Sequence, residues 1–266
     1  MKKTRVYLLC VLFLLLSCAT VPVTGRMQLN LISSETILSM SYQQYDEFLK
    51  SNKISTNKME TERVLRVGKN IENAVTRYFL ENNMSAQLRD YKWEYHLIES
   101  NEINAWCMPG GKVVIYTGLL PVTIDDTGLA VVMGHEIAHA IAQHGNERMS
   151  QQLGVQLGGM ALATALATKP ALTQQLGMAA FGLGSEVGVI LPFSRLHENE
   201  ADELGLIFMA MAGYDPRESL AFWARMSRAK TGQAPPEWLS SHPADQTRMQ
   251  RIQAIIPNVM KYYTGK

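Results

Sequence analysis

Five consecutive residues, His135-Glu136-Ile137-Ala138-His139, carry the strongest chemical signal in the chain. On a helix, residues four apart share a face, so both imidazoles can reach one ion. Neutral imidazole is a common zinc ligand. Glu136 lies between the two, where a carboxylate can take a proton from a metal-activated water. The flanking residues Val131, Val132, Met133, Ile137, Ala138, Ala140 and Ile141 are apolar. Two His and one Glu on a buried helix need a partner that satisfies them, and a metal ion does so. A solvated helix bearing the same pattern would sit among charged neighbours, which this stretch lacks.

A third ligand must come from elsewhere. His144 is nine residues beyond His135, which places it roughly on the opposite side of a continuous helix. The metzincin spacing also fails, because Ala142 stands where that pattern needs Gly and Gly145 where it needs His. His144 therefore reads as a helix-end residue near C-terminal carbonyls. The better candidate lies in Leu196-His197-Glu198-Asn199-Glu200-Ala201-Asp202-Glu203. Glu198 and Asp202 are four apart and share a helical face. Glu198 can complete a three-ligand set and leave a fourth position for water. Asp202 can then accept a hydrogen bond from the far nitrogen of a ligand His and fix its tautomer. Glu200 is the rival ligand, but the residue four beyond it is Leu204. Alone, this segment would read as an acidic solvated face; beside His135 and His139 the ligand reading is preferred.

These residues need elements to hold them. Val64, Val67, Ile71, Val75 and Tyr78 recur at three- and four-residue steps and predict a helix that Asn82-Asn83 ends. Met40, Tyr42, Tyr45, Phe48 and Leu49 predict a shorter one before it. Tyr91 to Ile98 alternates as a half-buried strand. Ile103 to Met108 and Lys112 to Thr117 are two more strands, joined by the turn Pro109-Gly110-Gly111. Residues Leu129 to His144 are helical, with Asp125, Asp126 or Thr127 as the cap. The fold class is α+β, mainly helical, with a small antiparallel sheet. From Met149 to Gly184 the chain is rich in Gly, Ala, Leu, Met and Gln, with Lys169 its only charge. This predicts a buried helical hairpin split at Lys169-Pro170, each half too short to span a bilayer. A substrate-gripping or membrane-leaning cover is the functional alternative.

The N-terminus has a different character. Lys2, Lys3 and Arg5 precede an apolar run from Val6 to Leu16, the layout of a secretory signal. Its end, Leu15-Leu16-Ser17-Cys18, resembles a bacterial lipoprotein signal, with cleavage before Cys18 and lipid on Cys18. Ala19 in place of Asp points to the outer membrane. The expected division is residues 1–17 as signal peptide, 18–58 as lipidated tether and first packing segment, and 59–266 as the catalytic domain. Of the three cysteines only Cys107 then stays free, so no intramolecular disulfide forms. Cys107 reads as a small half-buried residue. A net charge of +1 over 266 residues does not suggest a nucleic-acid surface, which would need a basic patch.

The pair HEIAH and ENEAD, in this order, resembles the gluzincin zinc metallopeptidases of the CAAX-prenyl-protease and HtpX family. The match is best with the soluble periplasmic lipoprotein branch, which includes LoiP and BepA. It covers about residues 60–262 and takes in Asn104-Ala105, Gly118-Leu119-Leu120, Ala212-Gly213-Tyr214-Asp215-Pro216 and Ser241-His242-Pro243. The resemblance implies a zincin-like domain with one Zn2+ per chain. His135, His139 and Glu198 would be its ligands and Glu136 the general base. It implies that His242, in a Pro- and Ser-rich loop, faces the metal, either as a latent ligand or as an oxyanion contact. Without long apolar spans, a multipass membrane enzyme is not expected. Asn104, Ala105 and Trp106 would form a sheet edge on which an extended substrate pairs as an added strand. The expected activity is endopeptidase cleavage of unfolded or misfolded envelope and outer-membrane proteins, at the periplasmic face of the outer membrane. The alternative is a non-proteolytic chaperone or assembly factor on the same zinc fold. Oligomeric state is not readable here.

Overall fold

The computed structural model describes residues 18–22, 24–229, 236–243 and 246–265. The expected signal peptide lies outside them, and of Cys18 only the backbone is described. The chain begins with β1 (Cys18–Thr20) and β2 (Met27–Leu29), then α1 (Ser34–Ser51) and α2 (Lys58–Glu81). Three strands follow, β3 (Glu94–Ile98), β4 (Ala105–Met108) and β5 (Lys112–Tyr116). The remainder is helical: α3 (Leu120–Thr123), α4 (Asp126–Ile141), α5 (His144–Leu166), α6 (Ala171–Ser185), a π turn at Glu186–Ile190, α7 (Leu191–Met211), α8 (Glu218–Met226), α9 (Glu237–Ser241) and α10 (Gln246–Val259). This is the mainly helical α+β class. The chain divides into two compact units, one of Leu38–Ala142 with Glu198–Lys266, the other of Met1–Ile37 with Gln143–His197.

In the first unit, α2 buries the stripe Val64, Val67, Ile71, Val75 and Tyr78. Asn57 caps it by accepting from the Glu60 amide at 3.3 Å. Asn83, at φ 58°, turns the chain out at its end. Central strand β5 is buried along its whole length. It pairs antiparallel with β4 through the Pro109-Gly110-Gly111 turn, where both glycines hold φ near 85°, at 86° and 84°. L side chains disfavour that region, so the turn needs Gly at both places. The expected antiparallel sheet is corrected to a mixed one, because β3 pairs with β5 in parallel and the strand order is β3-β5-β4. The loop from residue 99 to 104 carries β4 one strand-width past β3, and β5 folds back into the gap. Helix α1 is longer than the sequence predicts. It supplies Tyr45, fully buried against Ile98, Val114 and Tyr116, whose hydroxyl meets His96 Nδ1 at 2.6 Å.

Helix α4 starts on Asp125, which accepts from the Gly128 amide at 2.9 Å. It is buried over nearly its whole length. Gly134 lies on the backbone of α7 at Gly205. A Cβ on Gly134 would stand 2.7 Å from the Gly205 carbonyl oxygen, and one on Gly205 would stand 2.8 Å from the His135 nitrogen. Only two glycines permit this crossing, and it brings the His135 turn against the Asp202 turn.

The second unit holds β1, β2, α5 and α6. Gln143, at φ 57°, breaks the helix after α4, so His144 opens α5 instead of ending the motif helix. That corrects its expected place: His144 is buried and stacks on His197 with ring centres 4.3 Å apart. Glu147 is buried between His197 Nε2 at 2.8 Å and the Arg26 guanidinium at 2.7 Å. The hairpin of α5 and α6 is present, but it is not buried. No described residue from Gln152 through Leu191 is buried, and Leu157, Met160, Leu172, Leu176 and Leu183 are all more than half exposed. The expectation of no long apolar span is corrected too. The helical run Ala171–Met211 is long and apolar enough to cross a membrane, by length and composition. Pro170 splits the hairpin as expected, but nothing stops the helix after Ser185.

Candidate metal centre

Helix α4 presents His135 and His139 on one face, one turn apart, and α7 crosses it with Glu198 and Asp202 on the facing side. The two Nε2 atoms lie 3.1 Å apart. Glu198 reaches both, with Oε2 at 3.4 Å from His135 Nε2 and Oε1 at 3.3 Å from His139 Nε2. Donors at about 2.0–2.1 Å from a tetrahedral zinc ion would be about 3.3 Å apart. The three residues therefore fit that ion by type and by spacing. His242 joins them, with Nδ1 3.1 Å from His135 Nε2 and 2.9 Å from each Glu198 oxygen. These four side chains offer donor atoms all within 4.8 Å of one another. Among the described residues that set takes in Glu198 and not Glu200.

The electrostatics favour a cation at the centre. Burial alone would lower the His135 imidazole, but its bonds to Asp202 and Glu198 outweigh burial and raise it to about 9. Burial would raise the Glu198 carboxyl, yet its bonds to His135, His139 and His242 hold it far below the usual carboxylate range. Burial likewise opposes the Asp202 charge, and Arg248 with His135 still lowers its carboxyl. Asp202 Oδ1 sits 3.1 Å from His135 Nδ1. That bond leaves Nε2 as the nitrogen turned toward Glu198.

Glu136 is buried beside the donors. Its Oε1 accepts the Trp238 indole N–H at 2.6 Å and lies 3.6 Å from His242 Nε2. Trp238 and His242 ride on α9 and its C-terminal residue, and the Trp238 amide donates to the Ile103 carbonyl at 3.4 Å. That bond ties the His242 loop to the residues entering β4. Asn104 immediately precedes β4, and Ala105 and Trp106 begin it; β4 is an edge strand of the sheet. The Trp106 ring packs edge-on against Phe48 at 4.8 Å. Cys107 is half-buried, and burial pushes its thiol well above the ordinary value, with the Glu136 charge adding to the effect. That keeps it protonated.

Arg248, Trp223 and Trp238 were not found from the sequence. Arg248 is buried, donates to Asp202 at 2.6 and 2.8 Å, pairs with Glu198 at 3.0 Å and lies 3.6 Å above the Trp223 ring. Trp223 stacks on Trp238 at 4.9 Å. Thr247-Arg248-Met249-Gln250-Arg251 reads as a polar helix face, and nothing in it marks Arg248 as buried. The Gly134–Gly205 contact did leave a signal, as isolated glycines inside two apolar helical stretches that carry the motifs.

The chain is similar to known proteins over this whole region. Metalloendopeptidase OMA1, mitochondrial, of Bos taurus is 33% identical over 262 residues, 96% of this chain and 49% of that protein. The Homo sapiens protein of the same name is 31% identical over the same length. The Beta-barrel assembly-enhancing protease of Escherichia coli is 32% identical over 169 residues, 59% of this chain and 33% of that protein. The chain thus spans about half the length of the OMA1 relatives it matches. Residues 69–256 match Peptidase family M48, and they include every donor described above. The chain belongs to Peptidase family M48, whose members are zinc-dependent metallopeptidases.

Proposed function

We propose that this chain is a zinc-dependent endopeptidase acting on unfolded or misfolded polypeptides of the bacterial envelope. The convergence of His135, His139 and Glu198 within ligand spacing, beside a carboxylate that coordinates nothing, carries the reading. In it, His135, His139 and Glu198 hold the ion, Asp202 positions His135, and Glu136 is the general base. A zinc ion held by these residues would supply Lewis acidity for the scissile carbonyl and a water molecule. The Glu136 carboxylate takes the proton from that water, holds it, and delivers it to the leaving amine. The Trp238 N–H fixes which way the carboxylate faces. An extended substrate adds to the edge strand β4 at Asn104, Ala105 and Trp106.

The finer assignments belong to the same proposal. These are the periplasmic lipoprotein branch of the CAAX-prenyl-protease and HtpX family, a signal peptide over 1–17, lipid on Cys18, a tether over 18–58, a peptidase domain over 59–266, and residence on the periplasmic face of the outer membrane. The relatives' names differ, one mitochondrial for OMA1 and one concerned with beta-barrel assembly for the Escherichia coli protein. Lys2, Lys3 and Arg5 before an apolar run that ends at Cys18 support the envelope.

One observation favours a second reading, a non-proteolytic assembly factor. His242 Nδ1 lies 3.1 Å from His135 Nε2 and 2.9 Å from Glu198 Oε1, where it would serve as a further ligand and a latch. Zinc content and casein cleavage of the wild type, Glu136→Gln and His242→Ala separate the two. A peptidase cleaves as wild type or as His242→Ala, and Glu136→Gln keeps zinc but loses about 10²- to 10⁴-fold in rate. Zinc in all three with cleavage in none moves the assembly factor ahead, and zinc in none refutes the metal centre.

A further inference from the structure

Beyond Arg148 neither helix of the α5–α6 hairpin carries a charged face. The hairpin's largest side chains, such as Leu157, Met160, Leu172 and Leu176, are exposed, and the exposed positions between them are mainly Ala, Gly, Thr and Gln. Between Arg148 and Glu186 the one charged residue is Lys169, in the turn. Arg148 and Glu186 are both exposed at the base. A helix that docks on a soluble partner keeps a charged face for water, whereas one apolar all round belongs in a core or in lipid.

Three of the hairpin's polar side chains bond to its own backbone. The Gln174 side-chain amide donates to the Ala167 and Lys169 carbonyls at 3.3 and 2.9 Å, which closes the turn. Thr164 Oγ1 donates back to the Met160 carbonyl at 2.9 Å, and Ser185 Oγ to the Gly182 carbonyl at 3.0 Å. Water would do this work unaided; hydrocarbon would not. The two helices touch through small residues, with Phe181 laid over Gly158 and Gly159 and Leu166 over Gly177. Close packing through glycine is how helices pair where no hydrophobic force joins them. At the base, a cavity of about 730 Å³ lined by Met27, Leu29, Val155, Phe181 and Val189 extends the apolar surface onto β2.

We propose that this hairpin inserts into the hydrocarbon layer of a lipid bilayer. Helix α6, with 15 residues, rises about 22 Å from base to turn. That is short of the roughly 30 Å hydrocarbon thickness, so the hairpin enters and returns without spanning. Arg148 and Glu186 stay at the near headgroups, and the Lys169 stem extends toward the far ones.

The test uses the full chain with Cys10, Cys18 and Cys107 replaced by serine, so no lipid on residue 18 contributes. An environment-sensitive fluorophore is placed on Leu176→Cys, and on Leu65→Cys of α2 as control. Phosphatidylcholine–phosphatidylglycerol vesicles carry doxyl groups on their acyl chains. The expected result is a blue shift and doxyl quenching at residue 176, with protection from aqueous iodide, and neither effect at residue 65. Leu157→Glu with Leu176→Glu should weaken vesicle association at least about ten-fold while casein cleavage is retained. Iodide quenching at residue 176 that vesicles leave unchanged overturns the proposal. So does shielding without vesicles that tracks a concentration-dependent doubling of mass, which would make a second copy the occupant. If the labelled Leu176→Cys chain fails to fold, the label moves to Leu183→Cys, and the same outcomes decide.

Discussion

Helices α4 and α7 meet where Gly134 lies against Gly205, backbone on backbone. Helices α5 and α6 meet where Phe181 lies over Gly158 and Gly159. Both pairs are apolar and glycine-bearing, and they solve opposite problems. The first holds His135, Glu198, Asp202 and Arg248 in its seam, four ionisable groups whose charges answer one another out of water. The second, beyond Arg148, carries one charge, Lys169 in the turn, and Thr164 and Ser185 bond back to their own helix. Small residues bring helices close in either case. What the closeness serves depends on whether polar side chains sit beside the contact.

Four substitutions press on this difference. The largest expected effect is Arg248→Met. It removes the cation shared by Asp202 and Glu198 and leaves only the histidines to offset two buried carboxylates, at a cost of about 3–5 kcal/mol. Denaturant unfolding with and without zinc measures it, and added zinc should restore part of the loss. A cost below about 1 kcal/mol would mean the seam does not depend on that charge.

Next comes Gly205→Ala. Its methyl group would meet the Gly134 and His135 backbone, which has no soft atom to yield, so about 1–3 kcal/mol is lost and zinc occupancy drops. Unchanged stability and zinc content would remove the crossing from the argument.

The third prediction concerns pH. Burial would raise the Glu147 carboxyl, but its bonds to His197 and Arg26 dominate and lower it from 4.5 to about 2. A carboxyl lowered on folding stabilises the fold above its unfolded value and loses that contribution as pH falls. Wild-type stability should thus decline between about pH 4.5 and 2, by on the order of 2 kcal/mol more than that of Glu147→Gln. Parallel acid titrations of the two chains would refute it.

The smallest effect has the opposite sign. A Cβ on Gly182 would meet nothing within 4 Å, so Gly182→Ala should stabilise α6 by about 0.5–1 kcal/mol through helix propensity. Thermal unfolding in detergent reads it. Destabilisation there would mean that the hairpin is closed around Gly182 after all.

Much of the site was legible because its key pairs are local. His135 with His139, and Glu198 with Asp202, each lie one helical turn apart, and the structure places each pair on one face. The α2 stripe and strand β5 were legible for the same reason, since period alone specifies which side is buried. The sheet order was not, because β5 enters between two strands that precede it, and no local pattern states a non-local partner. Arg248 and Trp238 were missed because each acts from a distant segment whose own sequence looks polar or loop-like. The exposure of α5 and α6 was missed because composition reports how apolar a helix is, not what covers it.

Taken alone, the sequence determined which residues share a helical turn, which strands alternate, and which His and Glu side chains could serve as metal donors. Those follow from 3.6-residue and two-residue periods, which act over a few bonds. Tertiary structure alone decided that Gly134 and Gly205 bring the two halves together, that Trp238 orients Glu136, that His242 reaches the donors, and that Arg248 neutralises the carboxylates. It also decided that an apolar hairpin stands uncovered. Each of these depends on segments far apart in the chain coming within a few ångströms, where hydrogen bonds and desolvated charges act, and no local period encodes that distance.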